Sequence, residues 1–158
     1  MKRLLYCIVC FYVCTSCSIT NYALTGSYPS YTYSATTSQS SEEIWSKVID
    51  WFFNTETPIA LIDKASGIII SKSISLRSNS TSEVNGQPGN KNAYCVVPNV
   101  EQASRILGTL MIRVKTEGDK TKIQVSLGDL RCEYGNYAVA DIKSLGTFER
   151  QMLKHICQ

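Results

Sequence analysis

The chain has 158 residues, with 16 Lys and Arg against 13 Asp and Glu, one His, seven Cys and 44% hydrophobic residues. That is one domain's worth of folding sequence, long enough to bury roughly two thirds of its unfolded surface without a metal or a disulfide. A single His excludes a multi-His zinc site, and a formal charge of +3 is too weak for a nucleic-acid binder, which carries a clustered basic face.

Lys2 and Arg3 precede Leu4–Val13, ten residues without a charge. A membrane-spanning helix needs about twenty apolar residues, whereas this length suits the apolar region of a signal peptide. Thr15-Ser16-Cys17 follows. Small residues before a Cys resemble the lipobox of bacterial lipoproteins, although Cys14 stands where that motif usually has Leu. The resemblance implies a signal peptide over residues 1–16, acylation of Cys17, and Cys17 as the first mature residue. An ordinary cleaved secretory signal is the alternative. Acyl chains would anchor a soluble domain, since each buried methylene adds about 0.8 kcal/mol. Loss of Lys2 and Arg3 leaves 14 basic against 13 acidic residues.

Residues 18–41 contain no charge, and twelve of the twenty-four are Ser or Thr. No apolar period runs through them, so residues 17–41 are expected to be a flexible tether, with a coil span of roughly 25–30 Å. Tyr22, Tyr28, Tyr31 and Tyr33 lack the interleaved Arg or Lys of a nucleic-acid or glycan strip. The domain is expected over 42–158. Ser40 and Glu43 have capping-box spacing, and Ile44, Trp45, Val48, Ile49 and Phe52 make one apolar stripe on a helix of about 42–54.

The period then changes to two. Ile59–Ile62 and 68–76 flank the turn Asp63-Lys64-Ala65-Ser66-Gly67. Ile68, Ile70, Ile74 and Leu76 share the apolar parity, Ser71, Ser73 and Ser75 the polar one, and Lys72 breaks the pattern. Residues 77–93 are polar and predict a long loop, with a short strand at 94–97. A second hairpin alternates over 106–115 and 122–127. Leu145, Phe148, Met152 and Ile156 mark a C-terminal helix of about 144–157. The expected fold class is α+β: a four-stranded antiparallel sheet of two hairpins with both helices on one face.

The aromatic helix Ile44–Phe53, the turn at 63–67 leading into Ile68-Ile69-Ile70, and the hairpin Gly108–Val114 with Lys122–Leu130 resemble an uncharacterised domain of Bacteroidota lipoproteins, domain of unknown function 4468. The resemblance implies a TBP-like saddle and carries no catalytic residue. Few candidate chemistries arise from the residues. His155 and Cys157 point apart on a helix. Asp50, Glu56 and Asp63 have no spacing that favours a catalytic pair, and Asp63 suits the start of a turn. No metal site, cofactor or nucleic-acid partner is expected. One disulfide is expected among Cys95, Cys132 and Cys157, since the envelope is oxidising. The open sheet face should carry Met111, Arg113, Lys115 and Lys122, and is either plain solvated surface, as polar alternation requires of any half-exposed sheet, or the candidate binding face. These features define a non-enzymatic envelope protein, anchored by lipid and facing the periplasm, that binds another protein or a ligand. An immunity or inhibitor protein, or an envelope enzyme, is the alternative.

Overall fold

The computed structural model describes residues 22–28, 30, 32–135 and 138–158, the side chains of 138 and 139 excepted. Cys17 and the signal peptide expected over 1–16 lie outside these residues. In chain order the elements are β1 (Tyr33–Thr37), α1 (Ser41–Asn54), β2 (Ile59–Asp63), β3 (Ile68–Ser75), β4 (Ser80–Val84), β5 (Gln87–Pro88), β6 (Cys95–Val97), β7 (Arg105–Glu117), β8 (Lys120–Tyr134), β9 (Ala138–Ala140), β10 (Lys143–Ser144) and α2 (Thr147–Cys157).

The long strands β7 and β8 alternate in sequence, and they pair antiparallel from Arg105↔Glu133 to Glu117↔Lys120. Ile106, Leu110, Ile112, Val114, Ile123, Val125 and Leu127 all face the core. The two expected hairpins sit side by side, β3 against β7. The class is α+β, but the sheet is larger than four strands. Its order is β1-β8-β7-β3-β2, and β9 extends it to six by pairing with β8. β1 and β9 share the outer edge of β8, β1 along its first half and β9 along its last three residues.

Helix α1 starts where expected. The Ser40 hydroxyl accepts from the Glu43 amide at 3.2 Å, and the Glu43 carboxylate accepts from the Ser40 amide at 2.8 Å. This closed box satisfies two of the amides that a helix start leaves unpaired. Ile44, Val48 and Phe52 are buried, with Trp45 and Ile49 packed at the margin of the same core. Helix α2 contributes Met152, Leu153 and Ile156 to that core. α1 packs on β7 and α2 on β1 and β8, so both helices cover one face of the sheet.

Two expectations fail for identifiable reasons. The polar run 77–93 is not a loop. After a 3-10 turn at Arg77–Asn79, it supplies β4 and β5 of a second sheet ordered β10-β6-β4-β5, in which β4 and β6 run parallel. Asn85 and Gly86 join β4 to β5 with φ of 52° and 74°. Positive φ at both central residues is what a two-residue hairpin turn requires, and Asn-Gly supplies it cheaply. Nor is 17–41 a free tether where it is described. β1 is a strand of the main sheet, and Tyr22 bridges to Ala140.

The parity of β3 also differs. Ile70 pairs with Met111 and Ser73 with Thr109, so β3 spends three residues where β7 spends two. This bulge around Ser71 and Lys72 exchanges the faces. Before it, Ile69 and Ser71 point inward, while Ile68 and Ile70 lie on the side of Arg113 and Met111; after it, Leu76 returns to the core. Ser71 is 1% exposed, and its hydroxyl accepts from the Leu110 amide at 2.9 Å and donates to the Lys72 carbonyl at 2.6 Å. Ser71→Ala should therefore leave a buried amide without its acceptor and cost about 1–3 kcal/mol in urea unfolding. Exposed Ser73→Ala should stay within about 0.5 kcal/mol. Equal effects would overturn the assigned bulge.

Candidate functional site

Residues paired across neighbouring strands share a face of the sheet. Leu61 pairs with Ile70, Ile70 with Met111, and Met111 with Ser126. One register position along, Ile68 pairs with Arg113 and Arg113 with Gln124; one further, Lys115 pairs with Lys122. The face opposite the helices therefore holds an apolar strip across three strands. Leu61 is 48% exposed and Met111 42%, with Ile68 and Ile70 half-buried between them. Thr109, Gln124 and Ser126 also stand on this face, whereas Ser71, of the polar parity, is turned inward. The parity rule missed the strip because the bulge moves Ile68 and Ile70 onto it. The one sequence signal was Lys72, a charge in the apolar register.

The Arg113 and Lys115 side chains are exposed and make no hydrogen bond or ion pair among the described residues. Lys122 differs: its ammonium lies 3.8 Å from the Glu117 carboxylate. Lys64 is also committed, to Glu42 at 2.7 Å. Arg113 and Lys115 border a cleft of about 390 Å³ between the start of α1 and the turn after β2, which Trp45 and Lys64 also line. Asp63 organises that turn by accepting from the Ser66 amide at 3.1 Å, and the Ser66 side chain, followed by that amide, holds its carboxyl below the usual range. Its role is structural.

A second cleft of about 230 Å³ lies over another bulge. Leu107 pairs with Arg131 and Thr109 with Gly128, so β8 carries the extra residue here, and Asp129 takes a φ of 46°. Asp129, Ser144 and Glu149 line this cleft. Glu149 is 1% exposed. Its Oε1 accepts from the Ser144 hydroxyl at 2.7 Å and the Leu127 amide at 3.3 Å, while Oε2 is out of contact with solvent and has no hydrogen-bond partner. Through Oε1 the carboxylate ties α2 to β8 and to Ser144, and Oε2 is left buried and unpaired beside the cleft.

The remaining candidates do not converge. His155 is exposed and Cys157 half-buried near the end of α2. Among the described residues, no three or more His, Cys, Asp and Glu side chains are grouped to hold a metal, and no helix is long and apolar enough to cross a membrane. The disulfide expected among Cys95, Cys132 and Cys157 is not formed; all three are free thiols on separate elements. Burial pushes the Cys95 thiol up to about 12, helped by the Glu149 charge, and burial also raises Cys132 and Cys157.

No protein-family model matches the sequence, and no curated relative matches it. Among solved structures, the chain is similar to a DUF4468 family protein from Bacteroides ovatus. The two are 13% identical, with 84% of this chain and 85% of that chain covered and a TM-score of 0.35. No residue role is carried across from it.

The thiols give a direct test, because only the thiolate alkylates. In the folded protein at pH 8, iodoacetamide should leave Cys95 and Cys132 unmodified over hours, with Cys157 reacting slowly. In urea without reductant, all three should react, as read by peptide mapping. A pair that resists alkylation in urea would restore the disulfide.

Proposed function

We propose that this chain is a non-enzymatic, lipid-anchored protein of the cell envelope, held by acyl chains on Cys17 and facing the periplasm. Its domain binds another envelope protein through the open face of the sheet. The observation that carries the binding reading is the strip Leu61–Ile70–Met111 on the open face beside Arg113 and Lys115, two cations whose side chains have no partner among the described residues. Exposed apolar surface gains free energy when a partner covers it. Arg is a favoured anchor of such contacts. The complementary surface is apolar at its centre and acidic beside it. The anchor rests on Thr15-Ser16-Cys17 behind ten uncharged residues, and the periplasmic orientation on the absence of acidic residues over 18–41.

The anchor is tested by metabolic labelling with a fatty-acid analogue. Wild type should be labelled and sediment with membranes; Cys17→Ser should be unlabelled and either released or retained as precursor. Equal labelling of the two would sink the lipobox.

The binding face is tested with a photo-crosslinking residue at position 111, which should trap a discrete envelope partner in native membranes. With that partner purified, Met111→Ala and Arg113→Ala should each weaken the complex by at least about 2 kcal/mol, roughly 30-fold in Kd, without lowering the melting temperature. Unchanged affinity in both variants would refute this face.

A further inference from the structure

The segment between the anchor and the domain is expected from composition to be a spacer, yet its described part is fastened at three places. The Tyr22 carbonyl accepts from the Asp141 amide at 3.0 Å, and its ring lies 4.4 Å from the Tyr134 ring, tilted by 53°. The Tyr134 hydroxyl in turn donates to the Asn99 carbonyl at 2.7 Å, so the segment is tied to the turn at 99–104. The Glu83 carboxylate then accepts four bonds: from the Thr25 amide at 2.8 Å and hydroxyl at 2.9 Å, the Gly26 amide at 2.7 Å, and the Tyr28 hydroxyl at 2.9 Å. Finally, β1 pairs with β8 over Tyr33–Thr37.

Gly26 is required for this fastening. A Cβ there would collide with the Gly86 carbonyl oxygen and press on the Glu83 carboxylate. The clamp withstands acid. Burial alone would raise the Glu83 pKa, but the bonds from Thr25, Gly26 and Tyr28 outweigh it and bring the group down to about 2, from an ordinary 4.5. A depressed carboxylate pKa contributes stability that is present above the ordinary value and lost only as pH falls through the folded one. Glu83 therefore stays ionised, and able to accept these bonds, well below the ordinary carboxylate range.

Chain length supplies the consequence. Only five peptide steps separate Cys17 from Tyr22, a reach of at most about 17 Å. The free tether expected over 17–41 would instead have placed the domain roughly 25–30 Å away as a coil. Tyr22 docks at one end of the long hairpin: it bridges Ala140, which pairs with Cys132, which pairs with Ile106. The turn at 117–120 lies at the other end, about 35 Å along β7 at the rise of a strand. We propose that residues 22–28 are a strap that seats the domain directly on the bilayer. The Tyr22–Tyr134 end faces the lipid headgroups, and the β7–β8 turn points away. This proposal rests on the acylation of Cys17 proposed above.

The experiment uses the full-length lipoprotein, purified from membranes and reconstituted in phosphatidylcholine vesicles containing headgroup spin-labelled lipid. A fluorophore is placed at Gln102→Cys, beside the Tyr134 end, or at Asp119→Cys in the distal turn, each in a Cys157→Ser background. The Gln102 probe should be quenched severalfold more strongly than the Asp119 probe. Gly26→Val, and separately Glu83→Gln, should reduce quenching at 102 to the level seen at 119, while circular dichroism shows the sheet intact. Strap release has an independent readout in hydrogen exchange, where the Thr25 and Gly26 amides should lose their protection in both variants. Mass spectrometry separates the two ideas. Absence of acyl mass on Cys17 overturns the anchor and with it the seating. Acylated wild-type protein with equal, weak quenching at both sites overturns the seating alone.

Discussion

The register between β7 and β8 is the constraint on which the remaining structure rests. Their alternation buries Leu110, Ile112, Ile123 and Val125 together on one face and leaves the other mostly polar, with Met111 exposed on it. A slip by one residue would invert every side chain at once, so the core itself enforces the pairing. β3 takes one free edge of the hairpin, and β1 and β9 divide the other. Helix α1 lies across β7, and α2 across β1 and β8. The second sheet joins the same core through Cys95 and Val97.

Two bulges interrupt this regularity, and each creates a feature that a regular sheet would lack. The one at Ser71 and Lys72 turns Ile68 and Ile70 out beside Arg113 and Met111. A sheet face that would otherwise be evenly solvated thereby gains an apolar strip with a basic margin. The inward serine is tolerated because its hydroxyl replaces a partner that the distorted ladder withdraws from the Leu110 amide. The bulge at 128–130 opens a cleft over Glu149, which spans the gap by bonding the Leu127 amide. In both cases a polar side chain satisfies backbone that the irregularity would leave unpaired.

The N-terminal segment illustrates how little composition says about order when the partner is distant. Ser and Thr in a stretch without charge read as solvated coil, and the carboxylate that gathers 25–28 is that of Glu83, more than fifty residues away. A carboxylate that accepts four hydrogen bonds gathers enough directed interaction to hold a segment that buries little apolar area. With the strap closed, residues 22–28 and the open sheet face belong to one folded unit, so the lipid proposed on Cys17 would set the height at which the proposed binding face stands.

The amino-acid sequence by itself determined the elements whose information is local. The α1 capping box, the stripe Ile44–Val48–Phe52, the turn at 63–67, the alternation of β7 and β8 and the apolar face of α2 can all be read within a dozen residues. So could Met111, Arg113, Lys115 and Lys122 as one side of a sheet. Asn85-Gly86 was also there to be read as a hairpin turn, although its flanking residues are polar and lack the alternation that usually marks strands. Tertiary structure alone decided the pairing of β1 with β8 and of β4 with β6, the faces of Ile68, Ile70 and Ser71, the free state of the three described cysteines and the capture of the N-terminal segment by Glu83. These depend on which backbone groups find partners far along the chain, and hydrogen-bond pairing between strands leaves no periodic trace in either partner's sequence.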